Sequence, residues 1–123
     1  MIFPYALIAL AASVAYAQGP TASGWDDTQI LNYALNLTDL QNAFYSQSLS
    51  KFDTQSFNSS GYGPFVRTGF VQIGQNKASQ AALLGSILGA NATASCTYNF
   101  SQVSNTADFT EGSQIVENIG ESN

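Results

Sequence analysis

The stretch VRTGFVQIGQNKASQAALLGSILGA, residues 66–90, decides the fold, because its apolar residues recur at helical spacing. Ile73, Leu84 and Ile87 mark one stripe, and the stripe positions one and two turns on from Ile73 are Lys77 and Gln80. An ammonium and an amide therefore stand where an amphipathic helix wants carbon. A second stretch repeats the anomaly. In WDDTQILNYALNLTDLQNAFYSQSL, residues 25–49, Ile30, Ala34, Leu37, Gln41 and Phe44 fall on one stripe at steps of four and three, flanked by Leu31, Leu35, Thr38 and Tyr45. Gln29, Asn32, Asn36 and Asp39 take the opposite face, which this pattern predicts to be wet. Thr38 and Gln41 interrupt the stripe halfway along, so two helices with polar gaps at mid-length are placed to face each other.

Asp26 or Asp27 is positioned to cap the first helix, and Gly89 is a natural stop for the second. The link between them, SKFDTQSFNSSGYGPF, mixes Gly, Ser, Asn and Pro with Phe52, Phe57, Tyr62 and Phe65. It reads as a loop that pins aromatics onto the bundle. ANATASCTYNFSQVSNT has turn chemistry and is expected to be an extended crossover, not a strand. A third helix is predicted to start near Asp108, with Phe109, Val116 and Ile119 on one side and Glu117 close to that side.

Composition excludes several functions. Eight Asp+Glu against three Lys+Arg leave no basic patch for phosphates, so nucleic acid is not an expected partner. Histidine is absent altogether, which removes Ser-His-Asp and Cys-His catalysis and every imidazole metal ligand. Asp26-Asp27 looks like an acidic pair fit for Ca²⁺, but that ion wants six or more oxygens, and helix capping explains the pair more simply. Asp39 and Asp53 are too isolated for paired acid-base work.

The opening residues, MIFPYALIALAASVAYAQ, form an apolar run ending in Ala15-Tyr16-Ala17, the small-x-small pattern of a cleaved secretory signal. The run is shorter than the roughly 20 apolar residues that span a bilayer, and it contains Pro4. Cleavage before Gln18 and secretion are expected. Export gives meaning to four Asn-x-Ser/Thr triplets, at Asn36, Asn58, Asn91 and Asn99. Asn36 is the weakest acceptor because it sits inside a helix. Cys96 is the sole cysteine, so no internal disulfide is possible.

Four strings carry a resemblance: DTQILNYALNLTDLQNAFY, GYGPFVRTGFVQIGQNKASQAALLGSILGA, CTYNF and DFTEGSQIVENIG. Together they resemble, in order and spacing, the ferritin-like domain of secreted fungal proteins often described as stress-response or desiccation-related. In that family the first string looks like Leu-Glu-x-Leu-Glu-x-x-Phe-Tyr and the second carries Glu-x-x-His. The third is Cys-x-Tyr-x-Phe, and the fourth is a helix with Glu then Gly. The likeness runs over residues 27–120 and covers only the first part of the family domain. Its active di-metal sites take one Glu from each of two helices and a Glu-x-x-His from each of the other two. The resemblance puts the first two glutamates on Thr38 and Gln41 and the Glu-x-x-His on Lys77 and Gln80. Only Glu117 matches a ligand position, and the final Glu-x-x-His helix is missing.

The resemblance therefore implies an all-α, partial ferritin-like helical bundle of two long helices, a crossover loop and a short third helix. Residues 1–17 are read as signal peptide, 18–25 as flexible leader and 26–123 as an incomplete ferritin-like domain. Two readings of Lys77 stand side by side: an ammonium supplying the positive charge of a lost metal, paired with Glu117 among Thr38, Gln41 and Gln80, or a side chain that snorkels to water. Tyr45 is a redox tyrosine only beside a metal, and otherwise a core residue. The expected protein is not an enzyme and takes no cofactor. The alternatives are a metal-binding or oxidoreductase domain completed by a second chain, and a truncated product without function. Partly covered stripes (Ile30, Leu37, Phe44, Ile73, Leu84, Ile87) point to an antiparallel homodimer. Cys96, whose family partner lies in the missing part, would be free for an inter-chain disulfide.

Overall fold

Asp26 starts the first helix, α1 (Asp27–Lys51), through a reciprocal capping box: its carboxylate accepts from Gln29 N at 2.8 Å, and the Gln29 side chain accepts from Asp26 N at 3.0 Å. The computed structural model describes residues 25–121. The predicted signal segment and all but the last residue of the leader lie outside them. Three helices follow α1: α2 (Thr54–Ser59), α3 (Val66–Leu88) and α4 (Thr106–Glu121), with a single 3-10 turn at Gly89–Asn91. The crossover from 92 to 105 is irregular, and the described residues contain no strand. The all-α bundle expected from the helical stripes is the observed fold.

The helix α1 runs antiparallel to α3. Arg67, early in α3, donates from Nε to Phe52 O at 2.7 Å and from its guanidinium NH2 group to Leu49 O at 2.9 Å, closing the C-terminal end of α1. Midway, Gly74 lets the helices approach, since a Cβ there would sit 3.1 Å from Tyr45 Cβ. Gly89 ends α3 at φ 55°, a left-handed conformation that favours glycine. The α4 helix packs antiparallel to α1 over its C-terminal half and also reaches α3. Phe109, fully buried, stacks on Phe44 with centroids 5.3 Å apart and meets Phe70 edge-on at 4.7 Å, with Phe52 and Phe57 closing round it. These rings, with Leu40, Tyr45, Phe100, Val103 and Val116, are the core.

Three expectations need correction. The link after α1 is not all loop: Asp53 caps α2, accepting from Ser56 N at 2.9 Å, and this turn of helix buries Phe57. Asp53 is thus a helix cap, its carboxyl held below the usual range by the Ser56 hydrogen bonds. Phe65 is not pinned to the bundle. It stands 81% exposed at the start of α3, while Tyr62 from the same segment packs on the core and shares a 3.0 Å hydrogen bond with Thr110.

The third correction concerns the face of α1 expected to be wet: Gln29 is exposed, but Asn32, Asn36 and Asp39 meet the crossover. Asn32 Nδ2 donates to Asn91 O at 3.0 Å and its Oδ1 accepts from Thr93 N at 2.9 Å. Further along, Asp39 accepts from Ser95 Oγ at 2.9 Å, Gln47 donates to Tyr98 O at 3.0 Å, and Lys51 donates to Phe100 O at 2.6 Å and Val103 O at 3.0 Å. The crossover lies lengthwise along α1. An irregular chain has backbone groups that need partners, and the polar residues of this face supply them. At Asn32 and Asn36, both buried, polarity marks contact with the crossover and not with solvent.

The aromatic seat of α4 depends on Gly112, where a Cβ would stand 2.9 Å from two ring carbons of Phe44. Gly112→Ala is expected to destabilise the fold by about 1–2 kcal/mol, overpacking outweighing the gain in helix propensity. Urea unfolding measures it, and an unchanged or raised midpoint would contradict the close approach.

Candidate functional site

Eight residues beyond Phe109, about two helical turns, α4 presents Glu117 to the middle of the α1–α3 pair. Lys77 Nζ lies 2.9 Å from Glu117 Oε1, with the two side chains 15% and 30% exposed. Of the two readings of Lys77, the structure selects the ion pair. The other carboxylate oxygen, Oε2, accepts from Tyr45 OH at 3.0 Å, and that hydroxyl also lies 2.7 Å from Ser113 Oγ. Tyr45 and Ser113 thus hold the carboxylate in the geometry that meets Lys77.

The pair closes one side of an open cleft of about 380 Å³ lined by Ala34, Leu37, Thr38, Gln41, Lys77, Gln80 and Glu117. All five positions singled out from the sequence, Thr38, Gln41, Lys77, Gln80 and Glu117, meet at this one place. The network among them differs from the expected one. Thr38 Oγ1 donates back to Ala34 O of its own helix at 2.8 Å, and Gln41 Nε2 donates to Val116 O at 3.0 Å. Gln80 is exposed. None of the three bonds to the ion pair. Tyr45, which the sequence places in the core, does so, supported by Ser113, which no sequence motif marks. Helical spacing held the signal for both, since Tyr45 follows Gln41 by one turn and Ser113 precedes Glu117 by one.

A family model described as a ferritin-like domain matches residues 26–123. The chain belongs to this family. Comparison with curated proteins and with solved structures gave no match. A ferritin-like di-metal site needs several carboxylates with imidazole between helices. This ferritin-like chain offers a hydroxyl already bonded to its own helix, two amides, an ammonium and a single carboxylate whose oxygens hold Lys77 and Tyr45. Among the described residues no group of three or more His, Cys, Asp or Glu is placed to hold a metal. These residues do not fit the family's metal centre, because amides and an ammonium do not supply the anionic donors such ions require.

The remaining sequence candidates sit apart. Asn58, Asn91 and Asn99 are exposed. Asn36 is corrected: it is 6% exposed under the crossover, and its Nδ2, the atom that would carry a glycan, is enclosed without a partner. Cys96 is exposed and free.

Two tests follow from the geometry. Glu117→Gln should cost about 1–3 kcal/mol, between exposed and fully buried pairs, because the amide still accepts from Tyr45 but leaves Lys77 uncompensated. A double-mutant cycle with Lys77→Met isolates the pair, and a coupling below about 0.3 kcal/mol would contradict it. The second concerns Tyr45, whose hydroxyl is pushed well above the usual tyrosine range, first by burial and partly by the negative Glu117, against the Ser113 hydrogen bond. Burial raises Tyr98 likewise, helped by Cys96. The folded chain then keeps these protons to higher pH than the unfolded chain, so their contribution is complete below about pH 10 and is lost as pH rises beyond it. Alkaline unfolding should be shallower above pH 10 for Tyr45→Phe than for the parent.

Proposed function

We propose that this ferritin-like protein is secreted, N-glycosylated and non-catalytic, with a structural or stress-related extracellular role. The observation that carries this reading is the Lys77–Glu117 pair at 2.9 Å, standing where the family resemblance puts metal ligands. The ammonium takes the place of a metal's charge: it neutralises Glu117 between α3 and α4 without any redox-active or Lewis-acidic centre. The absence of histidine supports the same conclusion, as no general base of that kind is available for hydrolytic or transfer chemistry. Neither nucleic acid nor any other polyanion is a partner in this reading. The chain's three cations are Lys51, Arg67 and Lys77, and each is committed to an internal carbonyl or to Glu117. The apolar N-terminal run and the exposed Asn58, Asn91 and Asn99 support export and glycosylation, with Asn36 left unmodified. No helix among the described residues is long and apolar enough to cross a membrane.

A second reading, a ferritin-like metal or oxidoreductase domain completed by a second chain, draws on Ile30, Leu83 and Ile87, which are 49%, 61% and 58% exposed at the end of the bundle that α4 does not cover. A homodimer built on that strip, with Cys96 available for an inter-chain disulfide, is compatible with either reading. One preparation tests both. Protein from a eukaryotic secretory host is expected to begin at Gln18, to lose the mass of no more than three glycans on deglycosylation, and to carry neither iron nor manganese. Near one or two metals per chain by elemental analysis would overturn the non-catalytic reading in favour of the second, and retention in the cell with Met1 attached would overturn secretion.

A further inference from the structure

We propose that the cleft beside the Lys77–Glu117 pair binds a small neutral polyhydroxy compound of the monosaccharide class. The proposal rests on the metal-free reading given above, because a metal would occupy the same carboxylate. A volume of about 380 Å³ falls in the lower part of the range of small-ligand sites. Charge decides the sign of the ligand first. The two formal charges lining the cleft neutralise each other at 2.9 Å, so an anion would have to compete with Glu117 for Lys77, and a cation would meet the Lys77 ammonium.

What the cleft offers is an array of mixed donors and acceptors. Lys77 has three ammonium protons and gives one to Glu117. Gln41 spends its Nε2 on Val116 O, and its Oε1 remains an acceptor. Gln80 is exposed at the rim, with both a carbonyl oxygen and two N–H groups to offer. Thr38 Oγ1 donates to Ala34 O and keeps its lone pairs. Adjacent donors and acceptors without net charge suit hydroxyl groups, each of which both donates and accepts. Ala34 and Leu37 give the cleft an apolar wall for the C–H face of such a ring. Carboxylates lack the donors to use Gln41 Oε1, and an apolar ligand would leave both that oxygen and the remaining Lys77 protons without partners.

The test is NMR titration of secreted, ¹⁵N-labelled protein with glucose, and separately with sodium acetate. The Gln41 and Gln80 side-chain amide resonances are expected to shift saturably with glucose in the range of about 1–10 mM, as befits a ligand of this size. Gln80→Ala, at an exposed position that leaves the fold intact, should weaken the response at Gln41 at least fivefold. No saturable glucose shift, or saturation by acetate alone, overturns the proposal, as does full retention of affinity in Gln80→Ala. Elemental analysis of the same sample separates the two conclusions: bound metal removes the non-catalytic reading, whereas metal-free protein that ignores glucose removes only the ligand.

Discussion

Everything in the site depends on one packing constraint, the seating of Phe109 between the ends of α1, α2 and α3. Its ring lies on Phe44 and is enclosed by Phe52, Phe57 and Phe70, so α4 can neither slide nor rotate without opening an aromatic core that is almost wholly buried. Gly112 fits the adjacent turn against Phe44. With this register held, helical periodicity carries Ser113 to Tyr45 and Glu117 to Lys77. The ion pair is a consequence of the apolar seat. Its own modest, partly solvated energy could not have specified the position of α4.

Charge is used sparingly in this ferritin-like chain, and the scarcity has structural effects. Three cations are available; Arg67 donates to Leu49 O and Phe52 O at the C-terminal end of α1, where backbone carbonyls lack helical partners, and Lys51, in the last turn of α1, donates to Phe100 O and Val103 O of the crossover. They tie that end to the crossover and to α3. The third, Lys77, neutralises Glu117. Surface chemistry is then left to hydroxyls, amides and carboxylates.

A metal centre and an ion pair solve the same mechanical problem by different means. A metal joins several anionic ligands at once and brings reactivity with it; Lys77 joins one carboxylate and brings none. With Thr38 and Gln41 at positions that the family resemblance assigns to glutamates, the cleft is free of the repulsion that clustered carboxylates would suffer without a metal. What persists is a small polar cleft between helices, still open to solvent on the side that α4 leaves uncovered.

The helices α1 and α3, an N-cap at Asp26 or Asp27, the stop at Gly89, the side of α4 that faces inward and the meeting of Thr38, Gln41, Lys77, Gln80 and Glu117 were all legible in the sequence. Stripe periodicity and capping are local properties, and the family motifs supplied the spacing between them. Tertiary structure alone decided the rest. It turned Asn32, Asn36 and Asp39 from solvent toward the crossover while leaving Gln29 exposed, because a polar side chain bonds to protein or to water with equal chemistry, and only the fold determines which is near. It folded α2 within a segment whose Gly, Ser and Pro content signals a loop. It also brought Tyr45 to Glu117 from a position 72 residues away in sequence, where no local pattern connects them. Periodicity tells which residues share a face, but what lies against that face depends on the packing of the whole chain.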